Sequence, residues 1–228
     1  MILTKAKPWS EIEAALDRWN LQRLVVIGCG LCAAQAGTGG TLGVEKILEN
    51  LKAINKDVLA SIVIEEPCDK RTVKKDLRYI KEEVKEADGI IVAACGTGVQ
   101  TVQEITDKIT ITTTDTIMIS QTERIGKYQQ KCKACGVCHL NETGGICPIT
   151  ACAKSLLNGP CGGQIDGKCE VGEYEYDCGW VRIYERLKKL GKLDLFFKYR
   201  EPRDWSLETE KREVDHRKDR RTYYSCEK

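Results

Sequence analysis

"RLVVIGCGLCA", residues 23–33, runs a β-branched apolar segment straight into two glycines and two cysteines. A short apolar run closed by glycine reads as a strand buried on both faces, the kind found inside a parallel sheet. Downstream, "TLGVEKILENLKAI" (41–54) sets Val44, Ile47, Leu48, Leu51 and Ile54 on one helical stripe, and "VLASIVI" (58–64) is a second strand. The alternation then repeats. "TVKKDLRYIKEEVKEA" (72–87) aligns Val73, Leu77, Ile80 and Val84, "GIIVAA" (89–94) is a third strand, "GVQTVQEIT" (98–106) starts a helix, and "TDTIMI" (114–119) is a candidate fourth strand. Upstream, "SEIE" (10–13) has the spacing of a capping box, with Ser10 as the cap and Glu13 reaching back. Strand alternating with helix predicts a Rossmann-like α/β domain with a parallel sheet over residues 1–125.

The loop after the first strand supports two readings. "GCGLCA" (28–33) matches G-x-G-x-x-A, and Glu65 or Glu66 closes the next strand where a ribose-binding acid stands in dinucleotide sites. That pattern suits a nicotinamide-binding diaphorase module. The cysteines suggest something else. Cys29 and Cys32 follow strand one, Cys68 follows strand two and Cys95 follows strand three. In a parallel sheet those loops open on one edge, so four thiolates converge there. An iron-sulfur site is favoured over a nucleotide, with buried structural cysteines as the plain alternative.

Beyond residue 128 the apolar periodicity ends. From Cys132 to Cys178 eight residues are cysteine, too many and too closely spaced with glycine for a core built on hydrophobic burial, so bound metal must supply the difference. Cys132, Cys135 and Cys138 repeat as C-x2-C-x2-C, the spacing with which one loop wraps a cubane cluster, and Cys147 stands before Pro148. With Cys152, Cys161, Cys169 and Cys178 the segment has thiolates for two 4Fe-4S clusters. The division taken is Cys132, Cys135, Cys138 and Cys178 for one and Cys147, Cys152, Cys161 and Cys169 for the other, although spacing alone does not decide which distant cysteine goes where, and zinc is the alternative occupant of the second. His139 is a single histidine, where Rieske-type ligation needs two, and reads as a neighbour of the site. "GWVRIYERLKKL" (179–190) resumes a helical stripe through Trp180, Tyr184, Leu187 and Leu190.

Composition narrows the function classes. The 228 residues carry 13 cysteines and a formal net charge of +2, with both signs mixed. Such a balance predicts neither nucleic-acid nor membrane binding. No apolar secretory segment opens the chain, and an odd, dense cysteine count suits metal in a reducing compartment, so a cytoplasmic protein is expected.

The segment "CKACGVCHLNETGGICPITACAKSLLNGPCGGQIDGKCEV", continuing through "DCGWVRIYERL" and "REPRDW" over about residues 131–205, resembles the methylenetetrahydrofolate reductase C-terminal cysteine-rich domain. With an α/β domain before it, the chain resembles the MetV-type iron-sulfur subunits. The resemblance implies a partner, the flavin-bearing MetF-type subunit, and a role in reducing methylenetetrahydrofolate to methyltetrahydrofolate within one-carbon metabolism of the Wood-Ljungdahl pathway. The electron donor it implies is ferredoxin or a larger redox complex. A structural zinc scaffold holding the flavin subunit is the competing role. A flavin-holding barrel takes about 250 residues by itself, so the chain is expected to be a non-catalytic electron-transfer subunit with no catalytic residue. The expected organisation is 1–125 sheet domain, 126–192 cluster domain, and 193–228 an extended charged tail whose "LDLFFKYREPRDW" supplies Leu195, Phe196, Phe197, Tyr199 and Trp205 as docking anchors.

Overall fold

The computed structural model describes residues 1–206. The chain opens with β1 (Ile2–Ala6) and α1 (Trp9–Arg18), then runs β2 (Arg23–Cys29), a single turn α2 (Cys32–Gln35), α3 (Gly40–Ala53) and β3 (Asp57–Ile64). A helical rod follows, α4 (Lys70–Asp76) and α5 (Lys81–Glu86) joined by a 3-10 turn at Leu77–Ile80, then β4 (Gly89–Ala93), α6 (Gly96–Thr106) and β5 (Ile109–Thr112). The four strands β2 to β5 form one parallel sheet in the order β3-β2-β4-β5.

Burial on both faces explains why β2 is apolar without alternation. Leu24 and Val26 pack on one side with Ile12, Leu16, Val44 and Leu51 from α1 and α3. Val25 and Ile27 pack on the other with Val73, Leu77 and Val102 from the rod and α6. Helices on both faces of a parallel sheet make the doubly wound α/β arrangement expected from the sequence. The order of connection reverses between β2 and β4, and ligands bind such sheets at that switch point, beyond the carboxyl ends of the strands.

The fourth parallel strand differs from expectation. It is "ITIT" (109–112), while "TDTIMI" belongs to β6 (Thr114–Arg124), which pairs antiparallel with β1 and has β7 (Lys127–Cys132) at its other side. Each threonine in β5 spaces its isoleucines by two, so the strand is short and its apolar signal weak. The capping box is also absent. Pro8 precedes the first helical residue, no side chain caps α1, and the helix starts one residue before Ser10. That start leaves Ser10 inside the first turn, where its hydroxyl has no free N–H ahead of it to cap.

The first compact unit spans Met1–Lys131 and the second begins at Cys132. The second holds α7 (Pro148–Ala151), α8 (Gly179–Lys189) and α9 (Asp194–Phe197), with loops between them. Its apolar cluster has four buried members, Cys178, Trp180, Ile183 and Leu187. Ile183 lies on the buried face of α8 and Leu190 is exposed, because the helix ends at Lys189 and Leu190 falls past its last turn.

Residues 193–200 fold back onto this cluster, where an extended anchor segment was expected. Leu193, Leu195 and Phe196 pack on it, and Phe196 meets Trp180 edge-on with ring centroids 5.8 Å apart. Arg200 is 3 % exposed. Its guanidinium stacks over Trp180 at 5.6 Å and donates to the carbonyls of Leu157, Leu195 and Glu142. The backbone of Arg200 exchanges hydrogen bonds with the Asn158 side chain at 2.7 and 2.8 Å. Four buried residues are too few to anchor the loops, so an arginine that satisfies several carbonyls at once takes over that role. Of the expected anchors, Phe197, Tyr199 and Trp205 are exposed. The charged run from Glu208 to Arg221 lies outside the described residues.

Candidate metal centres

The sheet edge comes first. Cys29 is the last residue of β2 and is buried, and its thiol faces the carbonyl of Glu65 at 3.9 Å. Gly30 extends the strand by donating to Ile64 O at 2.8 Å. A Cβ at Gly30 would meet Glu65 Cα at 3.2 Å, so glycine is what lets the loop after β2 lie against the loop after β3. Gly39 occupies the switch point itself. A Cβ there would lie 2.8 Å from Ala93 O and 2.9 Å from Cys29 O, closer than side chains approach carbonyls.

Cys68 stands in the turn after β3, one residue before Asp69, which caps α4 by accepting from Arg71 N at 2.8 Å. Burial pushes the Cys68 thiol up, and the neighbouring Cys95 and Cys29 push it the same way. Cys29, Cys68 and Cys95 all stand at or just beyond the carboxyl ends of the neighbouring strands β2, β3 and β4. A bound cation would reverse the direction, since coordination deprotonates a thiol. Cys32 opens α2 and is half-buried.

Cys95 directly precedes α6, and the second sheet holds its loop. Thr114 Oγ1 donates to Ala94 O at 2.5 Å, and Thr116 Oγ1 accepts from Gly96 N at 2.8 Å. Neither threonine carries a mark in the sequence that ties it to the cysteines. The dinucleotide reading loses support from the same region. Its glycine loop should open a long helix, whereas "GCGLCA" leads into the single turn α2, and α3 begins only at Gly40.

In the second unit Cys132 ends β7, and the following loop turns sharply. Ala134 and Gly136 have φ of +54° and +88°, and Ala134 N donates to Cys132 Sγ at 3.3 Å. Left-handed residues between the cysteines let backbone N–H groups point at sulfur. Cys147 precedes α7 with Pro148 as first helical residue, where a missing N–H costs nothing. Cys178 precedes α8. Cys95, Cys147 and Cys178 thus each stand at the opening of a helix, where free N–H groups favour negative charge.

The other cysteines of this unit lie in these local surroundings. Cys152 packs on the cluster that contains Cys178. Cys178 N bonds to Gly167 O and Cys169 N to Tyr176 O, so a small loop straps Cys169 to Cys178. Cys161 Sγ lies 3.4 Å from a Glu170 carboxylate oxygen, beside Cys169, and Glu170 also pairs with Lys154. Cys152 and Cys178, expected in separate cages, share one apolar cluster.

Among the described residues all twelve cysteines are free thiols, and no three His, Cys, Asp or Glu side chains already stand in a ligating arrangement. The donor set still suits iron-sulfur clusters or zinc, both of which take thiolates. His139 adds an observation at the site: its Nε2 is buried without a hydrogen-bond partner, one residue from Cys138. A group held by the neighbouring thiols would give that nitrogen a partner.

No helix among the described residues is long and apolar enough to cross a membrane. Neither a curated protein nor a solved structure matches the chain. A family model described as methylene-tetrahydrofolate reductase C terminal matches residues 111–206, a span that contains all eight cysteines from Cys132 to Cys178. Over residues 111–206 the chain is similar to the methylene-tetrahydrofolate reductase C-terminal family, a likeness consistent with a MetV-type subunit of that reductase.

Proposed function

We propose that the chain is the electron-transferring iron-sulfur subunit of a cytoplasmic methylenetetrahydrofolate reductase complex. One observation carries the reading: eight free thiols, two of them at helix openings, fall inside the family-matched segment of a unit with only four buried cluster residues. The subunit passes single electrons from ferredoxin or a larger redox complex to the flavin of a MetF-type catalytic subunit. There methylenetetrahydrofolate takes up two electrons and two protons to become methyltetrahydrofolate. This chain's part is to hold the clusters, shield them and set their potential by burial and N–H contacts to sulfur.

Local contacts favour Cys152, Cys161, Cys169 and Cys178 as one ligand set and Cys132, Cys135, Cys138 and Cys147 as the other. Cys29, Cys32, Cys68 and Cys95 would hold a third cluster at the sheet edge. When bound, these groups supply one-electron chemistry. The helix openings and backbone N–H groups beside them would fix the thiolates.

Anaerobic purification with iron, sulfide and zinc analysis tests the reading. The expected protein is brown, bleaches with dithionite and holds about twelve irons per chain, about four for each site. Cys135→Ser should lose about four of them and expose residues 131–180 to protease. Cys152→Ser and Cys178→Ser should each remove one and the same cluster. A colourless protein that holds zinc and no iron overturns electron transfer in favour of a scaffold.

A further inference from the structure

The helical rod carries a row of cations that nothing in the proposed electron path uses. Lys74, Arg78, Lys81 and Lys85 recur at i, i+4, i+7 and i+11, and all four are exposed on one wall of a groove of about 430 Å³. Lys108 adds a fifth positive charge from the start of β5, its Nζ donating to the carbonyls of Lys85 and Ala87 at 2.8 Å. The floor is apolar, formed by Leu77, Val84 and Ile105. No carboxylate lines the groove, although Asp76, Glu82, Glu83 and Glu86 lie on the same rod.

Like charges at i and i+4 repel, so a helix gains nothing from this row by itself. With mixed charge and a net of only +2 for the whole chain, such segregation is local and sorted. The groove also lies toward the wrong end of the sheet for redox contact. Lys85, Ile105, Thr106 and Lys108 stand where α5 and α6 end and β4 and β5 begin, while Cys29, Cys68 and Cys95 stand where strands end. A five-residue strand is about 17 Å long.

We propose that this groove docks an acidic segment of a partner protein, with carboxylates spaced along one helical face and an apolar side chain between them that fills the floor. Charge complementarity selects the occupant, and the apolar floor selects a protein over other polyanions. Single-stranded nucleic acid is held by aromatic side chains on which its bases stack, and none lines the groove; the backbone of a duplex makes no use of an apolar floor. A lipid surface is met by a protruding apolar face, and here the apolar residues lie in a recess. The contact would hold a partner in place at the end of the unit away from the cysteines, and it requires no assumption about the metals.

The test uses the full chain and a fluorescent helical peptide with four glutamates at the matching spacing around one leucine, beside a twin with glutamine at the four positions. The glutamate peptide should bind about tenfold or more tightly than its twin at low salt, and lose most of that advantage as salt rises. Lys81→Glu with Lys85→Glu should weaken binding about tenfold, and Lys81→Gln with Lys85→Gln should weaken it less, both with unchanged circular dichroism. Equal binding of the two peptides, or none, overturns the proposal. So does tighter binding of duplex DNA, of phosphatidylserine vesicles or of inorganic pyrophosphate than of the glutamate peptide.

Discussion

The two units solve the same problem with different means. In the first, a sheet is covered on both faces, and two clusters of buried aliphatic side chains hold it, so polar groups are left to the edges. In the second, the apolar cluster has only four buried members among long loops, and Arg200, Asn158 and the helix openings at Cys147 and Cys178 do the ordering. Burial is non-directional and tolerates exchange of one aliphatic for another. Guanidinium-to-carbonyl bonds and thiolate sites are directional and tolerate little. The first unit should therefore keep its shape under changes that collapse the second.

Trp180→Ala gives the largest expected separation between them. Trp180 is 1 % exposed, meets Phe196 and Arg200, and its Nε1 donates to Leu156 O at 3.0 Å. Its loss should cost about 3–5 kcal/mol. Hydrogen exchange should then rise across residues 142–200 while β2 and β4 stay protected. Equal loss of protection in both units would break the contrast.

Gly39→Ala strikes the opposite unit. The added methyl would press on Cys29 O and Ala93 O, so the ends of β2 and β4 must part, at a cost of about 1–3 kcal/mol. The expected readout is a lower midpoint for the sheet transition and, under the proposed function, weaker metal at the edge cysteines with unchanged metal in the second unit. Retention of every edge metal would show that the switch point does not shape that site.

The smallest effect concerns acid. Arg71 and the N–H at the start of α4 hold the Asp69 carboxyl down at about 2, below its ordinary 3.8. A depressed carboxylate stabilises the fold fully above the ordinary value, and that contribution fades as pH falls from about 4 toward 2. Because the group is exposed, the change should be confined to α4 and the Cys68 turn. Asp69→Asn should flatten this low-pH drift in exchange at residues 68–73, and an unchanged drift would remove Asp69 as its source.

Legibility in the sequence followed the same division. β2, β3, β4 and α3 are readable because they leave an apolar trace over neighbouring residues, a continuous run in the strands and a periodic stripe in the helix. The antiparallel sheet was not, since β1 pairs with β6 across more than a hundred residues and half of β6 faces outward. Arg200 was least legible of all. It sits in "FKYREPRDW", a stretch that looks solvated, and its partners are carbonyls at positions 142, 157 and 195, which any residue can supply. The cysteine spacing marked candidate ligands but not their surroundings, because Cys152 joins the cluster that contains Cys178 only once α7 and α8 pack against each other.

The strand order β3-β2-β4-β5 sets a timetable for the growing chain. Cys29 and Cys95 are neighbours only because β2 lies beside β4, so the edge thiols stay apart until residues through Cys95 have been made and both crossovers have closed. Cys132, Cys135 and Cys138 need no such wait, being adjacent in the nascent polypeptide before anything around them folds. Late, non-local pairing is slow, and local contacts form fast. During synthesis the edge thiols would thus come together only when the sheet is finished, whereas the three cysteines of the run are close from the moment they are made.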